Sequence, residues 1–199
     1  MPHYYEPKVE AVVSNPSTVR FKIREKEYAL VVDHGVFSRS GLDFGTRVLL
    51  ETALKEAKGR ILDLGCGYGP VGVVLADQTT ADVEMVDINP RAVALARENA
   101  RSLGLKVTAK ESDGFARVEG LFHMILTNPP IRAGKAVFYR WFEQAPAFLR
   151  PFGSFWVVIQ KKQGAPSAIK KLEEVFQEVQ IMAKESGYYV LRCRNSLTN

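Results

Sequence analysis

Ile61-Leu62-Asp63-Leu64-Gly65-Cys66-Gly67-Tyr68-Gly69-Pro70 decides how this 199-residue chain is read. An apolar run carrying one acid ends in a turn with three glycines in five positions, and a proline opens the next segment. Glycines tolerate positive φ and let the backbone lie against a ligand where a Cβ would intrude. Pro70 suits the first position of a helix, because an amide hydrogen there would have no partner. A strand, a bare loop and a helix start together predict a cofactor cradle at the carboxyl end of a sheet.

Outward from this stretch, strand and helix alternate. Upstream, Leu50, Ala53, Leu54 and Ala57 form the stripe of a helix that Gly59 stops. Downstream, a helix from about Pro70 to Asp77 leads to a strand at Val83–Ile88. The next helix has Asn89 as N-cap, Pro90 at its first position, Ala92, Leu95, Ala96 and Leu103 as its stripe, and Gly104 as its stop. Lys106–Lys110 reads as a third strand and Phe122–Thr127 as an apolar fourth, covered on both faces. Phe138, Phe142, Ala145 and Leu149, with Trp141 beside them, mark a helix whose last turn Pro146 kinks. Strand Ser154–Gln160, a helix with Ile169, Leu172, Phe176 and Val179, and two strands around Ser186-Gly187 complete the chain. Repeated β-α-β units predict an α/β fold with a parallel sheet, helices on both faces and an antiparallel addition from the last hairpin.

Before this region, Val19, Phe21 and Ile23 alternate with Arg20, Lys22 and Arg24; Glu25 to Glu27 turns, and Tyr28, Leu30 and Val32 alternate again. Residues 1–34 are therefore expected to be an N-terminal β-hairpin extension, and 35–199 the main domain. The basic face of the hairpin suits either solvent or a phosphate backbone.

Composition narrows the class. Hydrophobic residues at 46% and charged residues at 25% are ordinary for a globular protein. The longest uncharged run, Leu64 to Ala76, has 13 residues, short of the ~20 a membrane helix needs, and Met1-Pro2-His3-Tyr4-Tyr5-Glu6 lacks a signal-peptide pattern. A cytoplasmic protein without membrane partners is expected. Cys66 and Cys193 have no metal spacing, and His3, His34 and His123 are scattered, so no metal site is expected. The net charge is +5, and residues 150–199 carry eight basic against four acidic groups, a balance that fits a nucleic-acid partner without demanding one.

Gly67-Tyr68-Gly69-Pro70-Val71-Gly72 satisfies GxGxxG, and Asp87 stands 20 residues beyond Gly67, where an acid can hold ribose hydroxyls. That pair fits a nicotinamide dinucleotide as well as S-adenosylmethionine. Asp63 discriminates between them: it would repel a pyrophosphate, but it suits the α-amino group and sulfonium of S-adenosylmethionine. Thr127-Asn128-Pro129-Pro130, directly after the fourth strand, belongs to the same sheet edge.

Asp63-Leu64-Gly65-Cys66-Gly67, Asp87 and Asn128-Pro129-Pro130 together resemble a class I S-adenosylmethionine-dependent methyltransferase acting on an amino nitrogen. Val36-Phe37-Ser38, Leu42-Asp43-Phe44-Gly45-Thr46 and Phe122–Pro130 resemble, more narrowly, the catalytic domain of ribosomal RNA small subunit methyltransferase C, which methylates the exocyclic amine of a guanine in 16S rRNA. The resemblance implies a Rossmann-like, mostly parallel seven-stranded sheet with one antiparallel strand. It implies S-adenosyl-L-methionine as cofactor, with S-adenosyl-L-homocysteine as product, and 16S rRNA or the small ribosomal subunit as partner. Asn128, Pro129 and Pro130 become the catalytic residues. Asp63, Gly65, Cys66 and Gly67 would surround the methionine moiety, Asp87 the ribose and Ile88 the adenine. Asp113 would accept the adenine amine, or be an ordinary Asp-Gly turn. Gly45 and Thr46 would approach the cofactor carboxylate through backbone amides.

The motif has a chemical reason. A ring-conjugated amine is a weak nucleophile, and the Asn128 side-chain oxygen with the Pro129 carbonyl can accept its two hydrogens and turn the lone pair toward the methyl group. The prolines remove competing donors and stiffen the acceptors. In three respects the chain departs from the family. The amino-terminal half of two-domain members is not in it, which leaves a homodimer open. Ile131 stands where an aromatic often stacks on the base. Arg132 replaces a histidine, and with Lys135, Lys161 and Lys162 it forms the candidate substrate contacts to phosphate. The alternatives are the same chemistry on a release-factor glutamine amide or on adenine in nucleic acid, a non-catalytic RNA-binding assembly factor, and, most distantly, a nicotinamide oxidoreductase.

Overall fold

The computed structural model describes residues 14–33 and 41–195; His3, His34 and Val36-Phe37-Ser38 lie outside the described residues. Two strands, β1 (Ser17–Ile23) and β2 (Lys26–Val32), pair antiparallel as a hairpin. Then follow α1 (Phe44–Ala53), β3 (Arg60–Leu64), α2 (Pro70–Gln78), β4 (Asp82–Asp87), α3 (Pro90–Ser102), β5 (Thr108–Glu111) and β6 (Phe122–Thr127). The chain ends with α4 (Lys135–Gln144), β7 (Leu149–Gln160), α5 (Ala165–Val175), β8 (Glu178–Glu185) and β9 (Tyr188–Arg194). The main sheet has seven strands in the order β5-β4-β3-β6-β7-β9-β8, and β9 runs opposite to the other six. The expected Rossmann-like α/β architecture is the one observed.

Side-chain alternation along the strands sorts the core into two layers. Ile61, Met85, Met124, Leu126, Trp156 and Val158 pack with α1, α2, α3 and the hairpin. Leu62, Leu64, Val86, Ile125, Phe155 and Val157 pack with α4 and α5. Asp63 has the parity of Ile61, so its carboxylate enters the first layer, toward α2. The hairpin is stitched to that layer. Asn99 of α3, 1% exposed, receives the Val31 amide at 2.7 Å and donates to the Val31 and Tyr68 carbonyls at 2.9 Å each.

Several element ends differ from the sequence reading. The hairpin turns at Arg24-Glu25, where Arg24 has φ 53°, rather than over Glu25 to Glu27. The first main helix stops at Ala53, so Leu54 is its cap and Ala57 lies beyond it. Leu103 is the cap of α3 and is 36% exposed, because the chain turns at Gly104 with φ 69°. Pro146 does more than kink: α4 ends at Gln144, Ala145–Phe148 tightens to a 3-10 turn, and Leu149 begins a strand. Phe176 caps α5 with its ring stacked on Phe155 of β7, and Val179 belongs to β8, where it pairs with Cys193 of β9; both are apolar at helical spacing, yet neither is on the helix. The third and fourth strands of the main sheet order, β3 and β6, are neighbours whose connections leave in opposite directions. Their carboxyl ends therefore open a crevice between loops, the usual place for a ligand in such sheets.

Candidate active site

The glycine turn follows β3. Gly65, Gly67 and Gly69 have φ values of 73°, 56° and 91°, which side chains with a Cβ rarely adopt. The Gly65 and Cys66 amides both donate to the Val86 carbonyl at 2.9 Å, which ties the turn to β4. A Cβ on Gly67 would meet nothing within 4 Å, so the space over the turn is open. Gly72, in the first turn of α2, is bare for another reason: a Cβ there would come within 2.4 Å of Met85. This close approach delivers the Gly72 amide to Asp63 Oδ2 at 2.9 Å. Burial drives the Asp63 carboxyl up to about 7; the Gly72 amide opposes the shift and the nearby Asp87 adds to it. Burial also pushes up the Cys66 thiol, with Asp63 and Asp87 adding to the effect, so Cys66 fills the turn as a neutral group.

Asp87 ends β4. Its Oδ2 accepts the Gly67 amide and its Oδ1 the Asn89 amide, both at 2.9 Å, so it braces the turn while bordering the space beside it. That space is a cleft of about 480 Å³ lined by Gly65, Gly67, Asp87, Ile88, Asp113 and Asn128 among others. Ile88 is 63% exposed and offers an apolar wall to a flat ring. Asp113 stands on the rim, ion-paired with Arg140 at 2.7 Å, both about half exposed. Trp141 forms part of the floor between Gly65 and Gly114; a Cβ on Gly114 would sit 2.5 Å from its indole nitrogen. A smaller cavity of about 50 Å³ adjoins the cleft through Gly65, Gly67 and Asn128, and holds Asp63, Thr46 and Tyr68 on its walls. The Tyr68 hydroxyl is pushed up to about 12 by burial and then by Asp43.

Asn128 follows β6, whose end is pinned by the buried Thr127 hydroxyl donating to the Leu64 carbonyl at 2.8 Å. The Asn128 side-chain nitrogen donates to Asp43 Oδ2 and to Thr46 Oγ1, each at 2.9 Å. Asp43 is also the N-cap of α1, accepting the Thr46 amide at 2.9 Å on the same oxygen. The Pro129 carbonyl accepts the Ile131 amide at 2.8 Å, which holds it in place and leaves its second lone pair.

The other sequence candidates are scattered around these groups. Gly45 borders neither cavity; a Cβ on it would meet the Tyr188 ring at 2.8 Å, so packing requires the glycine. The Thr46 amide is taken by the Asp43 cap, so this residue reaches the site through its side chain rather than its backbone. Ile131 is half-buried against the α4/α5 layer. Arg132, Lys135, Lys161 and Lys162 are exposed and line neither cavity. Lys135 lies beside Gly164, at the end of the turn that carries Lys161 and Lys162. The structure adds Asp43, Tyr68, Arg140 and Trp141. Only Asp43 had a local signal, an acid three residues before Thr46 at a helix start. Among the described residues no helix is long and apolar enough to cross a membrane, and no group of three or more metal-binding side chains occurs.

Residues 27–192 match the family model of the methyltransferase small domain. The Bacillus subtilis (strain 168) uncharacterized protein YbxB is 47% identical over 197 residues, 96% of this chain and 98% of that protein. Ribosomal RNA small subunit methyltransferase C of Haemophilus influenzae (strain PittEE) is 32% identical over 81% of this chain but only 49% of its own length. Among solved structures, the T. thermophilus 16S rRNA N2 methyltransferase in complex with AdoMet and guanosine superposes with a TM-score of 0.81 at 29% identity, covering 91% of this chain and 51% of that one. The chain thus spans about half the length of the rRNA methyltransferases it matches.

Proposed function

We propose that this chain, which belongs to the methyltransferase small domain family, methylates an exocyclic base amine in RNA with S-adenosylmethionine as donor, guanine in 16S rRNA being the preferred target. The observation that carries the reading is Asn128. Its nitrogen is bound to two acceptors on α1, while its oxygen has no protein donor among the described residues, at a cleft shared with the glycine turn.

The residues fit the cofactor by their chemistry. The buried Asp63, poised near neutrality, is an acid in want of a cation, which the donor's ammonium would supply. The open space over Gly67 admits the methionine chain, Asp87 lies where ribose hydroxyls would reach it, and Ile88 gives adenine an apolar face. Bound there, the cofactor supplies an electrophilic methyl group. Transfer would form the carbon–nitrogen bond as the carbon–sulfur bond breaks, with the electron pair kept on sulfur, the positive charge passed to nitrogen and the proton then lost to water. Asn128 and the Pro129 carbonyl take the two amine hydrogens and aim the lone pair. No strong base is required. Arg132, Lys161 and Lys162, on turns, and Lys135, at the start of α4, lie at the same edge and are available to the RNA phosphates.

Incubation with radiolabelled cofactor and purified small-subunit rRNA, assembled small subunits, large-subunit rRNA, DNA and release factors tests this. We expect label in small-subunit rRNA, recovered as N2-methylguanosine by mass spectrometry. Label confined to a release-factor glutamine or to adenine would assign the site to another acceptor; none anywhere, with RNA still bound, would make the chain a binding module.

A further inference from the structure

We infer that Asp43 is a positioning residue that locks the Asn128 side chain in its productive rotamer; this rests on the methyl-transfer reading of the same site. A planar side-chain amide has two orientations related by a flip, and only one presents oxygen to an incoming amine. The flipped one presents NH2 to NH2, donor against donor. What decides between them must therefore be a neighbour that accepts and does not donate.

The structure supplies two such neighbours on one helix start, 85 and 82 residues away in sequence. Asp43 Oδ2, with no hydrogen of its own, lies 2.9 Å from Asn128 Nδ2. Thr46 Oγ1 could in principle donate, but its hydrogen is directed to Asp43 Oδ2 at 3.3 Å, so toward Asn128 it is an acceptor as well. The same Asp43 oxygen is anchored by the Thr46 backbone amide at 2.9 Å, which prevents it from following a rotating partner. A flipped Asn128 would set its oxygen against a carboxylate and a hydroxyl lone pair at once. The helix cap and the catalytic rotamer are thus one hydrogen-bond network, and α1 acts on the reaction without bordering the acceptor base.

Two variants separate the roles. Asp43→Ser keeps a good N-cap but is too short to reach Asn128. Asp43→Asn keeps an oxygen that can accept the same bonds without the charge. We expect Asp43→Ser to lower kcat about 30-fold or more, with cofactor Kd within about threefold of wild type and Tm little changed. Asp43→Asn should stay within about fivefold of the wild-type rate. Wild-type turnover in Asp43→Ser, equal impairment of both variants, or a matching loss of cofactor binding would each overturn the assignment. A second readout does not depend on turnover. In 15N spectra, the Asn128 side-chain NH2, assigned by its loss in Asn128→Ala, should be protected from hydrogen exchange in wild type and exposed in Asp43→Ser. If no polymer accepts a methyl group, the methyl-transfer reading fails, yet this signal still decides whether Asp43 holds the amide; an unprotected wild-type signal would refute it.

Discussion

The two edges of the main sheet carry clefts of opposite character. The one at the amino-terminal edge is the larger, about 1040 Å³, bordered by Lys55, Lys58, His123, Phe152 and Arg194 among others. Much of its polar chemistry is already used. Arg192 and Arg194 hold Glu56 at 2.6 and 3.1 Å, His123 Nδ1 accepts the Arg60 amide at 2.9 Å, and Ser154 accepts the Trp156 indole at 2.8 Å. The carboxyl edge has about half that volume, in two adjoining cavities, yet it contains a buried acid poised near 7, a bare backbone turn and an amide oxygen left to accept. Volume alone would choose the other edge. The difference follows from topology: strand ends at a switch point splay their loops apart and aim several of them at one volume.

Substitutions can break or sharpen this contrast. The largest effect is expected from Asn128→Ala. Turnover should fall about a hundred- to a thousandfold with cofactor affinity nearly unchanged, measured by steady-state kinetics beside a binding titration. Parallel losses in the two would remove Asn128 from the reacting nitrogen.

Next come the acids. Asp87→Ala should weaken cofactor binding about 10- to 100-fold, since it deletes both the proposed ribose contact and the brace on Gly67. Asp63→Asn should also weaken cofactor binding while making the protein more stable. The folded carboxyl titrates near 7 against an ordinary 3.8, so the folded state holds the proton more tightly than the unfolded one. Wild-type stability therefore declines as pH rises from 3.8 to about 7, and is level above that. The variant should lack this slope and gain roughly 2–4 kcal/mol at pH 8, read by denaturant melts across pH. For the same reason wild-type cofactor affinity should drop below about pH 7, as Asp63 is protonated. A flat pH profile of affinity would take Asp63 out of the cofactor site.

Charge reversal at Lys161 and Lys162 should weaken RNA binding and lower the slope of log affinity against log salt by about 1–2, without changing cofactor affinity. An unaltered slope would mean that neither lysine meets phosphate. The smallest effect belongs to the opposite edge. Phe152 is 74% exposed with φ 64°, a conformation that costs a bulky residue energy, so Phe152→Gly should raise stability by about 1 kcal/mol and leave turnover alone. Loss of RNA binding in that variant would show that the larger cleft takes part after all.

Local chemistry was enough to read much of this molecule from its sequence. Positive-φ glycines, the proline at a helix start, the Asn89 cap and the period-two strands each depend on a few neighbouring residues, and all were found where expected. Errors gathered at element ends, because Leu149 and Val179 satisfy helical spacing and strand burial equally well, and ladder partners made the choice. The site divides along the same line. Gly67 and Asn128 announce themselves by local sequence, whereas the bond from Asn128 to Asp43 spans 85 residues and the buried acceptor role of Asp63 needs Gly72 and Met85 packed against it. Sequence alone determined the turn, the alternation of strands and helices and the Asn128 amide that follows the fourth strand. Only the tertiary structure decided which way that amide faces and how strongly Asp63 holds a proton, since both depend on groups brought together by the sheet rather than by the chain.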